Sequence, residues 1–315
     1  MRFIPHFKDV EEAHFRISAV VHRTPVMHSV SINAITGGNL FFKCENFQKV
    51  GAFKFRGASN AVFSLNDSEA LRGVATHSSG NHAAALALAA RSRNIAAHIV
   101  MPSTSPAIKK TAVESYGGRI TLCEPTLKAR ESTLAEVIAL TGATEIHPYD
   151  NFHVIAGQGT AVKELLEDWG EFDVIIVPVG GGGLLSGTAI TVKHLLPNCM
   201  VIAAEPAGAD DAYRSFHTKT LHPSVNPTTI ADGLLTSLGQ RNFQIINEKV
   251  DDIVTVTEEN IVNAMRMIWE RMKIIVEPSA AVPLGAIIEG KIDVSGRKVG
   301  IILSGGNLDL GNLPF

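Results

Sequence analysis

The stretch DVIIVPVGGGGLLSG (173–187) runs an uninterrupted apolar strand into consecutive glycines, Gly180 to Gly183, and then into a helical pattern. A strand that is apolar on both faces must be covered on both, and a parallel sheet with helices on either side provides that cover. The same succession recurs along the chain. Candidate strands LFFKCE (40–45), GVATHS (73–78), AHIVM (97–101), RITLC (119–123), MVIAAE (200–205), DIVTV (252–256) and VGIILS (299–304) alternate with helical patterns. Examples of the latter are NHAAALALAARSR (81–93), SPAIKKTAVESYG (105–117) and TEENIVNAMRMIWERM (257–272). Such alternation predicts an α/β fold with open, twisted, mostly parallel sheets.

With 315 residues the chain can form two lobes that share a core. The units between 73 and 150 read as a small domain. NFHVIAGQGT (151–160) then returns the chain to a larger domain made of 1–72 and 151–315. Ligands of open α/β sheets sit at strand carboxyl ends, so a site is expected where the two domains meet. Charged residues make up 19% and the net charge is −3, which speaks against an electrostatic nucleic-acid binder. The N-terminus MRFIPHFKDVEEAHFR carries no signal-peptide pattern, and no run of about 18 apolar residues offers a membrane span. Cys44, Cys123 and Cys199 are odd in number and form no CxxC, as for free thiols in a reducing compartment. A cytoplasmic location is expected.

Four loops follow strands and can face one site. The glycine run puts bare backbone amides at a helix N-terminus, which suits a phosphate. Its spacing fits neither a dinucleotide fingerprint nor a Walker loop, since Gly187 is followed by Thr188. THSSGNHAAA (76–85) offers Ser78, Ser79 and Asn81 beside a helix start, either as a carboxylate clamp or as a plain N-cap by Ser79 or Asn81. IILSGGNLDL (301–310) leaves the hydroxyl of Ser304 at a strand end. AAEPAGADDA (203–212) clusters Glu205, Asp210 and Asp211, an oxygen set for a hard divalent cation or simply solvated charge. Finally, QKVGAFKFRGASN (48–60) seats Lys54 between Phe53 and Phe55. Burial there would lower the amine's pKa and make it nucleophilic, whereas a stem lying along an apolar surface would leave it charged. A phosphate cup, a carboxylate clamp and such a lysine are the parts needed to hold pyridoxal phosphate (PLP).

In order along the chain, AFKFRGA, SSGNHAAA, the four-glycine loop and SGGN resemble the fold-type II PLP enzymes, from about His22 to Asn307. The branch resembled is the serine/threonine dehydratases, which includes serine racemase and threo-3-hydroxyaspartate ammonia-lyase. The resemblance implies a tryptophan synthase β-like fold, with a cofactor cleft between two lobes, and a homodimer. It makes Lys54 the Schiff-base lysine and a base on one face of the substrate. Ser79 would be the acid/base on the opposite face. Gly180, Gly181, Gly182 and Gly183 would hold the phosphate, Asn81 the phenolic oxygen and Ser304 the pyridine nitrogen, with Phe53 beside the ring. The loop Ser78 to His82 would bind the substrate α-carboxylate. Glu205, Asp211 and the carbonyl of Ala209 match a divalent-cation site, for Mg²⁺ or for Mn²⁺ or Ca²⁺.

The implied reaction is β-elimination from a small β-hydroxy amino acid, giving a 2-oxo acid and ammonia. A neutral serine at the ring nitrogen fits elimination better than a long-lived carbanion. Arg130 matches an active-site arginine and would favour 3-hydroxyaspartate through a second carboxylate, unless it is a surface arginine on an exposed helix. Tyr149 and Ala84 depart from the animal serine racemases, and Ala84 puts nucleotide activation in doubt. Racemisation of serine, threonine dehydration, β-replacement and an idle ligand-binding homologue remain as alternatives.

Overall fold

The computed structural model of the protein describes residues 3–315. Two open sheets form. The larger contains β1 (Val26–Met27), β2 (Asn39–Cys44), β7 (Val174–Pro178), β8 (Met200–Pro206), β9 (Asp252–Val256) and β10 (Lys298–Leu303), in the order β1-β2-β10-β7-β8-β9. All its pairings are parallel except β1 with β2. The smaller contains β3 (Val74–His77), β4 (Ala97–Pro102), β5 (Arg119–Cys123) and β6 (Thr144–Glu145), in the order β5-β4-β3-β6, all parallel. Every strand expected from the sequence is present. The additions, β1 and β6, are two residues long each, too short to carry a periodicity.

Burial follows the apolar runs. Along β7, Val174 and Ile176 pack into one core with Phe42, Ala204 and Ile301, while Ile175 and Val177 pack into another with Phe41, Ala203 and Ile302. Both faces of this sheet are therefore dry, which explains the absence of alternation. The small sheet divides likewise: Val74, Ile99 and Met101 on one side, Ala75, Val100 and Cys123 on the other. The last of these cores is closed by Leu134 and Val137 of the helix Leu127–Thr141.

The helix Lys54–Phe63 lies against the helices Phe152–Trp169 and Asn81–Ser92. Its approach to the first is set by glycines: a Cβ on Gly157 would stand 2.7 Å from the Gly57 Cα. Arg56 anchors it. The fully buried guanidinium donates to Glu45 Oε2 at 2.7 Å and Oε1 at 2.9 Å, and to Glu164 Oε1 and Oε2 at 2.7 Å each. Lys43 Nζ adds a bond to Glu164 at 2.6 Å. Two cations and two carboxylates thus neutralise one another without water. The network ties the helix that begins at Lys54 to β2, to the Glu45–Phe47 turn and to its neighbouring helix.

Candidate active site

Lys54 is the first residue of its helix, and the chain just before it is stitched to the loop after β10. Phe53 N–H donates to Ser304 O at 3.0 Å, Gly306 N–H to Gly51 O at 2.9 Å, and Ala52 bridges Gly305. The Lys54 ammonium donates to Pro148 O at 3.0 Å and lies 5.1 Å from the centroid of the Phe53 ring. Phe55, by contrast, is fully buried in the core under the helix. Burial pulls the Lys54 pKa down to about 8 against the opposing charge of Glu277. A neutral amine is accordingly within easy reach near pH 8.

The glycine loop explains its own composition. A Cβ on Gly180 would stand 2.9 Å from Leu234 Cα, and one on Gly181 would stand 2.3 Å from Tyr149 Cγ. Gly182 has φ +89° and caps the helix Gly183–Leu195, and a Cβ on Gly183 would meet Tyr149 Cα at 3.1 Å. The Cβ side of the loop is thus filled by its neighbours. Among the described residues, the amides of Gly180, Gly181 and Gly182 donate to nothing. These unpaired donors at a helix start form the kind of cradle that takes a phosphate. Tyr149, the residue after the lysine's carbonyl partner, links the loop to Lys54.

At the end of β3, Gly80 rather than Ser79 or Asn81 is the N-cap of the helix Asn81–Ser92, without a side-chain capping bond. The polar side chains of this loop are therefore not spent on capping. Asn81 Nδ2 donates to Glu277 Oε1 and Oε2 at 3.1 and 3.2 Å, and its carbonyl accepts from Asn307 Nδ2 at 2.9 Å. Glu277 also accepts from Asn307 N–H at 3.0 Å and is 4% exposed. Burial raises its pKa to about 7. The sequence reading missed Glu277. Its signal was a single carboxylate before PSAAVPLGAII, placed as the N-cap of a helix that is buried almost throughout. The His82 ring gives Nε2–H to Ile146 O at 3.1 Å, and burial drops its pKa to about 3. Its Nδ1 then presents a lone pair, so a carboxylate in this loop would meet the His82 backbone amide, not its ring.

Arg130 is half-buried. It shares the i, i+4, i+7 stripe of Leu127–Thr141 with Leu134 and Val137, which pack on the sheet. Its Nε is buried without a hydrogen-bond partner. His77, half-buried at the carboxyl end of β3, feels the Arg130 charge, and its Nδ1 is also buried and unpartnered. Next to His77 stands His147, edge-on at 6.2 Å between centroids, and Tyr149 follows at 4.5 Å from His147. His147 Nδ1 accepts from Asp150 N–H at 2.9 Å, and burial lowers its pKa to about 4. Burial lifts the Tyr149 phenol to about 12 although Thr236 hydrogen-bonds it. Beyond His147 lies a cavity of about 510 Å³, where Arg241 donates to Asp150 O at 2.7 Å.

Ser304 is 3% exposed, and its hydroxyl makes no hydrogen bond among the described residues. Ser78 N–H completes the sheet edge with Val100 O at 3.1 Å, and Ser79 is half-buried beside it. Near the end of β8, Glu205 is fully buried, as is Asp211 at the start of the helix Asp211–Thr218. Glu205 accepts from Ala212 and Tyr213 N–H at 3.0 and 2.8 Å, and Asp211 Oδ2 from Leu238 N–H at 3.0 Å. Burial holds Glu205 well above the usual carboxylate range and Asp211 at about 6. Asp211 Oδ1 is left without a partner. Among the described residues no three His, Cys, Asp or Glu side chains gather in a metal-binding group, so a cation here would draw on the Ala209 carbonyl as well.

The pattern of the family described as pyridoxal-phosphate dependent enzyme matches residues 17–305. The chain belongs to that family. It is 49% identical over 313 residues to a β-hydroxyaspartate dehydratase of Paracoccus denitrificans, covering 99% of both chains. It is 52% identical over 312 residues to a serine racemase of Dictyostelium discoideum, covering 97% of this chain and 96% of the relative. The crystal structure of serine racemase from Dictyostelium discoideum superposes with a TM-score of 0.93 at 50% identity, covering 98% of this chain and 100% of the other. This member of the PLP family is an enzyme of the fold-type II architecture, and its site fits the cofactor. Unpaired glycine amides at a helix start are donors that a phosphate could use, and a buried lysine of lowered pKa is an amine that an aldehyde could take. No helix is long and apolar enough to cross a membrane among the described residues.

Proposed function

We propose that the chain eliminates the β-hydroxyl of a small amino acid, yielding a 2-oxo acid and ammonia, with threo-3-hydroxyaspartate ahead of serine and racemisation of serine as a side activity. The observation that carries this reading is Lys54: its amine, with a pKa of about 8, donates to Pro148 O, one residue before the tyrosine that packs on the glycine loop. PLP, when bound, supplies an electron sink that acidifies the substrate α-proton.

The chain supplies the rest. Amides of Gly180 to Gly183 hold the phosphate, Phe53 flanks the ring, Ser304 faces the ring nitrogen and Asn81 the phenolic oxygen. Lys54 Nζ takes the α-proton on one face. Ser79 Oγ holds or returns a proton on the other, which allows racemisation. Ser78, Ser79, Asn81 and the His82 amide bind the α-carboxylate, and Arg130 receives a second carboxylate. The similarity to a β-hydroxyaspartate dehydratase supports the order of substrates. Residues 73–150 form the small domain that closes over the substrate, and 1–72 with 151–315 the larger, cofactor-holding one. Glu205, Asp211 and the Ala209 carbonyl hold Mg²⁺, or Mn²⁺ or Ca²⁺. The protein works as a homodimer in the cytoplasm, where Cys44, Cys123 and Cys199 stay free.

The test is 2-oxo acid release by the holoenzyme with Mg²⁺, from L- and D-serine, L-threonine and the 3-hydroxyaspartate isomers. Oxaloacetate formed faster than pyruvate supports the reading. Pyruvate ahead would move the enzyme to serine, and no 2-oxo acid from any substrate would overturn elimination altogether.

A further inference from the structure

We infer that His77 is a specificity residue: it forms, with Arg130, a two-sided receptor for the substrate's second carboxylate. This deepens the reading of the preceding subsection and rests on it.

Strand alternation fixes the side on which His77 projects. Ala75 of β3 packs in the core closed by Leu134 and Val137, and His77, two residues on, shares that face. Arg130 occupies the same helical stripe one turn before Leu134, so both side chains converge at the carboxyl edge of the small sheet. This edge is the one that carries Ser78 to His82. Each of the pair has a buried nitrogen without a partner, His77 Nδ1 and Arg130 Nε. Buried polar atoms in folded proteins are nearly always bonded, and the Arg130 charge reaches His77, so one acceptor shared by the two would satisfy both orphans.

An anionic acceptor would satisfy both nitrogens and balance the Arg130 charge. Glu131 and Glu145 also lie near this edge, and Arg130 makes no ion pair with either among the described residues. Its charge therefore stays available to offset that of a ligand. Burial and the Arg130 charge lower the His77 pKa against the opposing charge of Glu131, which favours the neutral ring. It can then donate one N–H to a carboxylate without adding a second cation beside Arg130. A substrate without a second carboxylate leaves both donors unpaired, and such sites discriminate strongly against it.

The test uses holoenzyme variants His77→Leu and His77→Asn. Serine turnover is measured with succinate or butyrate as competing ligand, alongside kcat/KM for threo-3-hydroxyaspartate and L-serine. In His77→Leu, succinate inhibition and hydroxyaspartate kcat/KM should weaken by about ten- to a hundredfold, the worth of a bond to an ionised group. The loss for butyrate and serine should stay within about threefold, with hydroxyaspartate affected mainly through KM. His77→Asn, which keeps a neutral donor, should recover part of the loss. Equal weakening of succinate and butyrate, or a wild-type enzyme that does not prefer succinate, overturns the proposal. If wild type turns over serine faster than hydroxyaspartate, the substrate order falls, while the succinate comparison still decides on His77.

Discussion

Asn81 spans the two sheets by donating to both carboxylate oxygens of Glu277, at 3.1 and 3.2 Å. One residue starts the helix after β3, and the other caps the helix before β10, so a carboxamide–carboxylate pair links the two parts of the fold where the Glu277 charge reaches Lys54. Asn307 closes the group by bonding to both partners.

The Glu277 carboxyl makes the stability of the cofactor-free chain fall with rising pH. Its folded pKa, about 7, lies above the ordinary 4.5. The native state therefore holds a proton that the unfolded chain has released, and the stabilisation present below about pH 4.5 is lost as pH rises through 7. The shift corresponds to about 3 kcal/mol over that window. Glu277→Gln should flatten the profile, as measured by urea unfolding between pH 4.5 and 8. Parallel profiles would show that the carboxyl titrates normally.

Lys54→Met should abolish turnover and stabilise the chain stripped of cofactor. The folded pKa of about 8 lies below the ordinary 10.5, so the buried ammonium is a penalty that is present below pH 8 and relieved as pH climbs to 10.5. Removing it is worth at most about 3 kcal/mol at pH 7, less what the bond to Pro148 O contributes. A thermal scan of the variant at pH 7 checks this, and a lower midpoint would mean that the amine is a net structural contact.

Arg56 tests the anchoring of the catalytic helix. Truncating it to Met leaves Glu45 and Glu164 buried with only Lys43 to offset them, a loss of about 3–5 kcal/mol. Lys at this position keeps the charge but not the fork that reaches both carboxylates, so Arg56→Lys should also lose most of that stability. Denaturant midpoints report both. A midpoint for Arg56→Lys within 0.5 kcal/mol of wild type (roughly the scatter of neutral surface changes) would contradict the assignment.

Cation binding at Asp211 should stabilise the fold and compete with protons. Asp211 has a folded pKa of about 6, so Mg²⁺ affinity should drop as pH falls through 6. At a concentration of about 100 times Kd, Mg²⁺ should add about 2.7 kcal/mol, removed by EDTA. Asp211→Asn should abolish the shift in melting temperature. If the variant responds to Mg²⁺ as wild type does, the cation binds elsewhere.

The parts that were legible from the sequence are local. The apolar runs of β7 and β10, the glycines 180–183 and the lysine in AFKFRGA each declare themselves within a few residues, because strand burial, phosphate-type loops and a depressed amine leave compositional marks. Glu277, His77 and the inward face of Arg130 left little mark. A lone carboxylate, a histidine and an arginine on a helix look the same whether they face water or a ligand. Only their packing against Asn81, His147, Leu134 and Val137 separates the two cases. The buried Arg56 went unread for the same reason, since its carboxylates lie 11 and 108 residues away.

By itself the sequence determined which segments are strands and helices, that both faces of the large sheet are dry, and which loops carry donors at strand ends. These follow from short-range periodicity and from glycine's missing Cβ. The tertiary structure alone decided that Phe53, not Phe55, lies beside the Lys54 amine, that Gly80 caps the helix and leaves Asn81 to reach Glu277, and that the Arg130 Nε is buried within range of His77. Each of these depends on which groups are brought together and shut off from water, and that is a property of the packed chain rather than of any one segment.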